Sequence, residues 1–176
     1  IFHQTNPYGY SKFINECQFK TSKIEKTIGL RFFTVYGPWG RPDMALFSFT
    51  RAILKDEPIK LFNYGNMKRD FTYVDDIVKG ITIVVNRILF SNNATLSEIY
   101  NIGRGSQVNL LDFVKAIEDN FGKKAIIEYA PKHPADSQET LSDTTKLQAL
   151  GFKPLTSIEE GVKKFADWYK EFYGVC

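Results

Sequence analysis

Apolar residues fall along this chain in two patterns. Some form compact runs rich in β-branched and aromatic residues, and others sit three or four apart on otherwise polar stretches. The first pattern suits strands buried on both faces; the second suits helices with one buried side. After the Asn6-Pro7 turn signal, Phe13, Cys17 and Phe19 among polar neighbours predict a moderately amphipathic helix over 8–22. The apolar run 27–36 predicts a buried strand, which the Gly- and Pro-rich segment 37–43 must end as a loop. Leu46, Phe49, Ile53 and Leu54 share one side of a helix predicted over 45–55. Short strands are expected at 59–62 and 70–74, with Asp75 or Asp76 capping a helix over 77–89. A strand at 99–102 ends at Gly103, and a helix over 110–121 and a strand at 125–129 follow. The stretch 131–136 reads as a loop, and helices at 145–150 and 157–172 close the chain. Alternating strands and helices, without repeats or a linker, define an α/β architecture.

Composition narrows the function. With 43% hydrophobic and 24% charged residues, the 176-residue chain is that of an ordered globular protein. A net charge of +3, spread without a basic run, argues against nucleic acid as partner. The two cysteines, Cys17 and Cys176, make neither a metal spacing nor a disulfide framework, so no metal and a reducing, cytoplasmic setting are expected. No apolar stretch approaches the ~20 residues that span a bilayer. The start Ile1-Phe2-His3-Gln4, with no Met and no signal-peptide pattern, reads as the middle of something longer.

Tyr8 and Lys12 are spaced i, i+4, on one face of the first predicted helix. A free tyrosine is a poor base at neutral pH, and a nearby ammonium favours the phenolate, which is what a proton-transfer site needs. On spacing alone, such a pair is more often a solvated helix face.

The segments Leu30-Arg31-Phe32-Phe33-Thr34-Val35-Tyr36-Gly37-Pro38-Trp39-Gly40-Arg41-Pro42-Asp43-Met44-Ala45 and Lys68-Arg69-Asp70-Phe71-Thr72-Tyr73-Val74-Asp75-Asp76 change that weight. With them the chain resembles the extended short-chain dehydrogenase/reductase family, and within it the UDP-glucuronate 4-epimerases. The resemblance implies the C-terminal part of a Rossmann-like fold with its smaller substrate-binding domain. Residues 1–40 would finish the NAD-binding domain. Residues 41–176 would mainly bind the nucleotide sugar, with about 71–90 returning to the Rossmann sheet.

The same resemblance implies Tyr8 as catalytic base, Lys12 on the nicotinamide ribose and Phe33 lining the nicotinamide pocket. The sugar would pass through a 4-keto intermediate while NAD is regenerated each turn. Thr34, at a strand end, would meet the sugar or its carboxylate, and Arg41 a carboxylate or phosphate. Met44 and Ala45, opening a helix, offer free N–H groups to an anion. Arg69 would grip the UDP diphosphate, Phe62 and Tyr64 would flank uracil, and Asp136 would meet the uridine ribose. Without the family, Phe33 and Thr34 read as core strand residues, Arg41 as a solvated loop residue and Arg69 as a surface ion pair. A homodimer through the Tyr8 helix is implied as well.

The chain departs from the family pattern in places. It has His133 and Ala135 where the family commonly has Arg or Gln and Gly, and the stretch between Lys12 and Thr27 is shorter than usual. Gly103-Arg104-Gly105 lacks the rest of a dinucleotide-binding fingerprint, and the family's catalytic Ser or Thr is absent. These 176 residues alone are therefore expected neither to bind NAD with normal affinity nor to turn over substrate. A UDP-glucuronate decarboxylase, a nucleotide-sugar 4,6-dehydratase and a non-catalytic nucleotide-sugar-binding module are the alternative readings.

Overall fold

The structure, a computed structural model, describes residues 6–132 and 136–175. Helix α1 (Pro7–Thr21) opens with the Asn6 side chain accepting from the Gly9 amide at 2.8 Å, and Pro7 stands where its missing N–H costs nothing. No residue of α1 is buried. The helix is tied down by a paired hydrogen bond from Arg31 to Glu16, both contacts at 2.6 Å.

The apolar run expected as one strand is two. Strand β1 (Lys26–Phe32) pairs parallel with β6 (Leu96–Ile102), while β2 (Thr34–Tyr36) pairs parallel with β5 (Phe71–Tyr73). The change falls at Phe33, whose amide donates to Ile102, whereas the next amide, Thr34, donates to Asp70. Successive amides of a strand point to opposite sides, so the run hands over from one neighbour to the other without turning. Helix α3 (Val74–Leu89) packs against β1, β2, β5 and β6, with Ile77 and Val84 meeting Tyr100 and Ile102. Here the sequence reading needs correction. Tyr73 is the N-cap residue and makes no side-chain cap bond, while Asp75 and Asp76 lie inside the first turn. The Asp76 carboxylate instead accepts from the Thr156 amide and from Lys79.

A second layer holds α2 (Ala45–Leu54), β3 (Pro58–Phe62), α4 (Leu110–Phe121) and β8 (Ile126–Ala130), with β3 and β8 parallel. Strand β3 alternates, burying Ile59 and Leu61 and leaving Lys60 and Phe62 outward. Two short strands that the pattern did not reveal, β4 (Lys68–Arg69) and β7 (Val108–Asn109), pair antiparallel. Helix α5 (Thr145–Gln148) is shorter than expected. Helix α6 (Ile158–Tyr173) is capped by Ser157, which accepts from the Glu160 amide. It crosses α4 and buries Val162, Phe165 and Ala166.

The largest apolar cluster lies between the layers, where the Phe71 and Phe113 rings stack beside Tyr36. Burial pushes the Tyr36 phenol well above its ordinary pKa, and its hydroxyl donates to the Ser157 carbonyl. Asp70 is wholly buried, at the junction of β4 and β5. Its carboxylate accepts from the amides of Arg104, Gly105 and Ser142 and from the hydroxyls of Thr72 and Ser142. A buried carboxylate is tolerable only when its oxygens are satisfied in this way. A Cβ on Gly103 would lie 2.2 Å from the Ser142 hydroxyl oxygen, so glycine alone fits that crossing.

Candidate active site

Tyr8 and Lys12 lie together near the start of α1, the Lys12 ammonium 5.3 Å from the centre of the Tyr8 ring. A cation over a ring face is attracted by the ring quadrupole. Tyr8 is 72% exposed. Both side chains line an open cavity of about 550 Å³ between α1 and β1, along with Glu16, Phe19, Arg31 and Phe32. Phe33 is not on that wall; its neighbour Phe32, the last residue of β1, is.

A second cavity, about 410 Å³, opens where β2, β3, β4 and the N-terminus of α2 converge. Thr34, Met44, Ala45, Phe62, Arg69 and Asp136 all line it, six of the eight residues picked out on the substrate side. Met44 is the N-cap residue of α2, with no side-chain cap and no acidic residue in the first turn. Those uncapped amides and the positive helix end favour an anion.

Arg69 sits in the wall with its side chain 16% exposed. Its guanidinium donates to the carbonyls of Lys68 and Gln138 and, at 2.9 Å, to the Asp136 carboxylate. These bonds fix the plane of the group and leave part of its donor fork free for a ligand. Arg69 and Asp136 thus meet as an ion pair inside the cleft, an arrangement the sequence did not reveal.

Arg41 lines a narrow crevice that shares Thr34, Met44 and Ala45 with this cavity. Its guanidinium bonds Asp43, which raises it above its ordinary pKa. Tyr64 falls outside both cavities. It is 65% exposed in a left-handed turn, with φ of 51° at Asn63 and 54° at Tyr64. His133 and Ala135 lie outside the described residues.

Sequence reading passed over Lys60. Its ammonium lies 5.5 Å from the centre of the Phe62 ring on the same cavity wall, and it forms no ion pair among the described residues. The signal was present in the alternation of β3, which turns residues 60 and 62 to one face.

A strand end, a helix N-terminus and a fixed arginine thus surround one cleft, the place where open α/β sheets bind their ligands. The chain belongs to the NAD dependent epimerase/dehydratase family, whose model matches residues 1–103. It is similar to protein CapI of Staphylococcus aureus, at 46% identity over 98% of this chain and 57% of that one. It is also similar to a probable UDP-glucuronate 4-epimerase of Rhizobium meliloti, at 43% identity over 84% of this chain and 47% of that one. Among solved structures, it superposes on the UDP-glucuronic acid 4-epimerase of Bacillus cereus in complex with UDP-glucuronic acid and NAD, with a TM-score of 0.84 and 32% identity. That match covers 96% of this chain and 54% of the other. The chain spans about half the length of the relatives it matches. Its fold is the C-terminal portion of the Rossmann-like extended short-chain dehydrogenase/reductase fold. Among the described residues, no helix is long and apolar enough to cross a membrane.

Proposed function

We propose that this chain is part of an NAD-dependent epimerase that converts UDP-glucuronate to UDP-galacturonate. The observation that carries the reading is the convergence of Thr34, Met44, Ala45, Phe62, Arg69 and Asp136 on one cavity. The functions of the similar proteins support it.

The residues present suit the part of NAD that this stretch would meet, since an exposed phenol and an ammonium share one cavity wall. When bound, NAD would supply first the acceptor and then the donor of the hydride at carbon 4 of the sugar. Tyr8 accepts the proton of the 4-hydroxyl and returns it to the 4-oxygen once the ketone has turned over in the pocket, which presents the opposite face of carbon 4 to the returning hydride. Lys12 binds the nicotinamide ribose and keeps its charge over the Tyr8 ring. Phe33, next to the wall residue Phe32, is assigned to the nicotinamide side. Arg69 holds the diphosphate, aided by the N-terminus of α2 at Met44 and Ala45, and Lys60 adds positive charge nearby. Asp136 meets the ribose. Phe62 flanks uracil, with Tyr64 contributing from the adjoining turn. Thr34 and Arg41 hold the glucuronate end.

In this reading residues 1–40 complete the NAD-binding domain and 41–176 mainly bind the nucleotide sugar. The parallel pairing of β5 with β2 supports assigning about 71–90 to the Rossmann sheet. Exposed Tyr10 and Ile14, one turn apart on α1, support a homodimer through that helix.

The test uses the full-length protein, incubated with UDP-glucuronate. UDP-galacturonate is the expected product, and a UDP-pentose would instead mean decarboxylation. Tyr8→Phe should lower turnover at least about 100-fold while UDP binding, measured by calorimetry, is unchanged. Full activity in that variant defeats the mechanism.

A further inference from the structure

The loop between β2 and α2 carries a residue whose conformation and surroundings call for an account. The Gly40 amide donates to the Gly37 carbonyl at 3.2 Å, closing a tight turn with Pro38 second and Trp39 third. Trp39 has φ of 61°, in the left-handed region that a turn of this kind normally gives to glycine. A tryptophan there is strained, and such strain persists only where surrounding contacts hold it.

The contacts holding it come from the far end of the chain. The Trp39 ring is 72% exposed, yet its centre lies 4.9 Å from Phe172, nearly edge-on, and 5.1 Å from Trp168. Trp168 stacks on Phe172 and leans against Phe47 and Phe165, so the ladder runs from the loop surface into the core. Two residues beyond Trp39, Arg41 is bonded to Asp43 of its own loop, both groups standing in solvent. Arg41 thus points from a loop that one ring fastens to α6.

We propose that Trp39 is a positioning residue: it moors the Arg41 loop to the C-terminal helix and so fixes the guanidinium that meets the sugar end of the substrate. The proposal rests on the assignment of Arg41 under the proposed function. It gives α6, which lines neither the Tyr8 cavity nor the larger substrate cavity, a part in substrate recognition.

The test compares Trp39→Ala, Trp39→Phe, Phe172→Ala, the Trp39→Ala/Phe172→Ala pair and Arg41→Ala in the full-length enzyme. Trp39→Ala should raise KM for UDP-glucuronate about fivefold, the loss of roughly one aromatic contact, with kcat changed less. Affinity for UDP, which lacks the sugar, should stay as it was. Phe172→Ala breaks the same contact from the helix side and should act in the same direction. The double variant should be no worse than Trp39→Ala alone, because one interaction cannot be lost twice. Trp39→Phe should keep KM near that of the parent, while the near-ultraviolet circular dichroism of the Trp39–Trp168 pair disappears. If Arg41→Ala raises KM but Trp39→Ala and Phe172→Ala do not, the mooring is wrong and the site assignment stands. If Arg41→Ala leaves KM unchanged, the assignment falls and takes the mooring with it.

Discussion

Asp70 and Asp76 have no solvent exposure, and each is stabilised by donors from distant parts of the chain. Burial pushes the Asp76 carboxyl up, but the Thr156 amide and the Lys79 ammonium outweigh it and hold the group below its ordinary value. A carboxyl depressed in the folded state stabilises fully above its unfolded pKa of about 3.9, and that stability is lost as pH falls through the lower folded value. Urea unfolding followed from pH 6 downward, a range set by those ordinary values of about 4, should show the parent losing stability below that point more steeply than Asp76→Asn. Parallel profiles would mean that the Thr156 and Lys79 contacts do not favour the charged form. This carboxylate was legible in the sequence as a helix-start residue, but its partner 80 residues away was not. The same distance effect hid the Arg69–Asp136 pair, whose members stand 67 residues apart.

Among the elements, α6 depends on one close approach. A Cβ on Gly161 would lie 2.2 Å from the Tyr36 hydroxyl oxygen. Alanine improves helix propensity by about 1 kcal/mol, but forcing a methyl into a packed interface costs about 1–3 kcal/mol. The hydroxyl would also be pushed from the Ser157 carbonyl. Gly161→Ala should therefore lower the unfolding free energy by roughly 1–2 kcal/mol, and adding Tyr36→Phe should recover only part of it, because Cε2 and Cζ of the ring would still lie 2.8 Å from the new methyl. Denaturant titrations of the parent and the two variants check this, and a more stable Gly161→Ala would refute it. The helices α2, α3, α4 and α6 were legible because each repeats a buried stripe over several turns. Two-residue strands such as β4 and β7 have no period to read, and they form only because their partners arrive from 40 residues away. The handover at Phe33 was hidden for another reason: it changes the strand's neighbour and leaves the apolar run unbroken. Six residues of the substrate-side cavity were found through motifs, whereas Lys60 on the same wall needed the alternation of β3 and Trp39 needed the packing of α6.

Taken as one molecule, the 176 residues are unevenly secured. Helix α1 buries none of its residues and is held by the Arg31–Glu16 pair and by Phe19 lying near Gly29, while α6 buries six. An exposed ion pair contributes little, about 0–1 kcal/mol. Hydrogen exchange on this chain should find the amides of α1 at least about 100-fold less protected than those of α6. Equal protection would show that α1 is held by more than these contacts. The cavity on the substrate side presents the opposite case, since its wall takes residues from Thr34 through Asp136. A guest touching Thr34, Lys60, Arg69 and Asp136 together would bridge strands and loops that no covalent bond joins, and only the folded chain can receive it. At a hundredfold excess over its Kd such a guest adds about 2.7 kcal/mol to the work of unfolding. Such a guest would then serve as a removable staple, and the melting temperature of the chain would register how much of it is present.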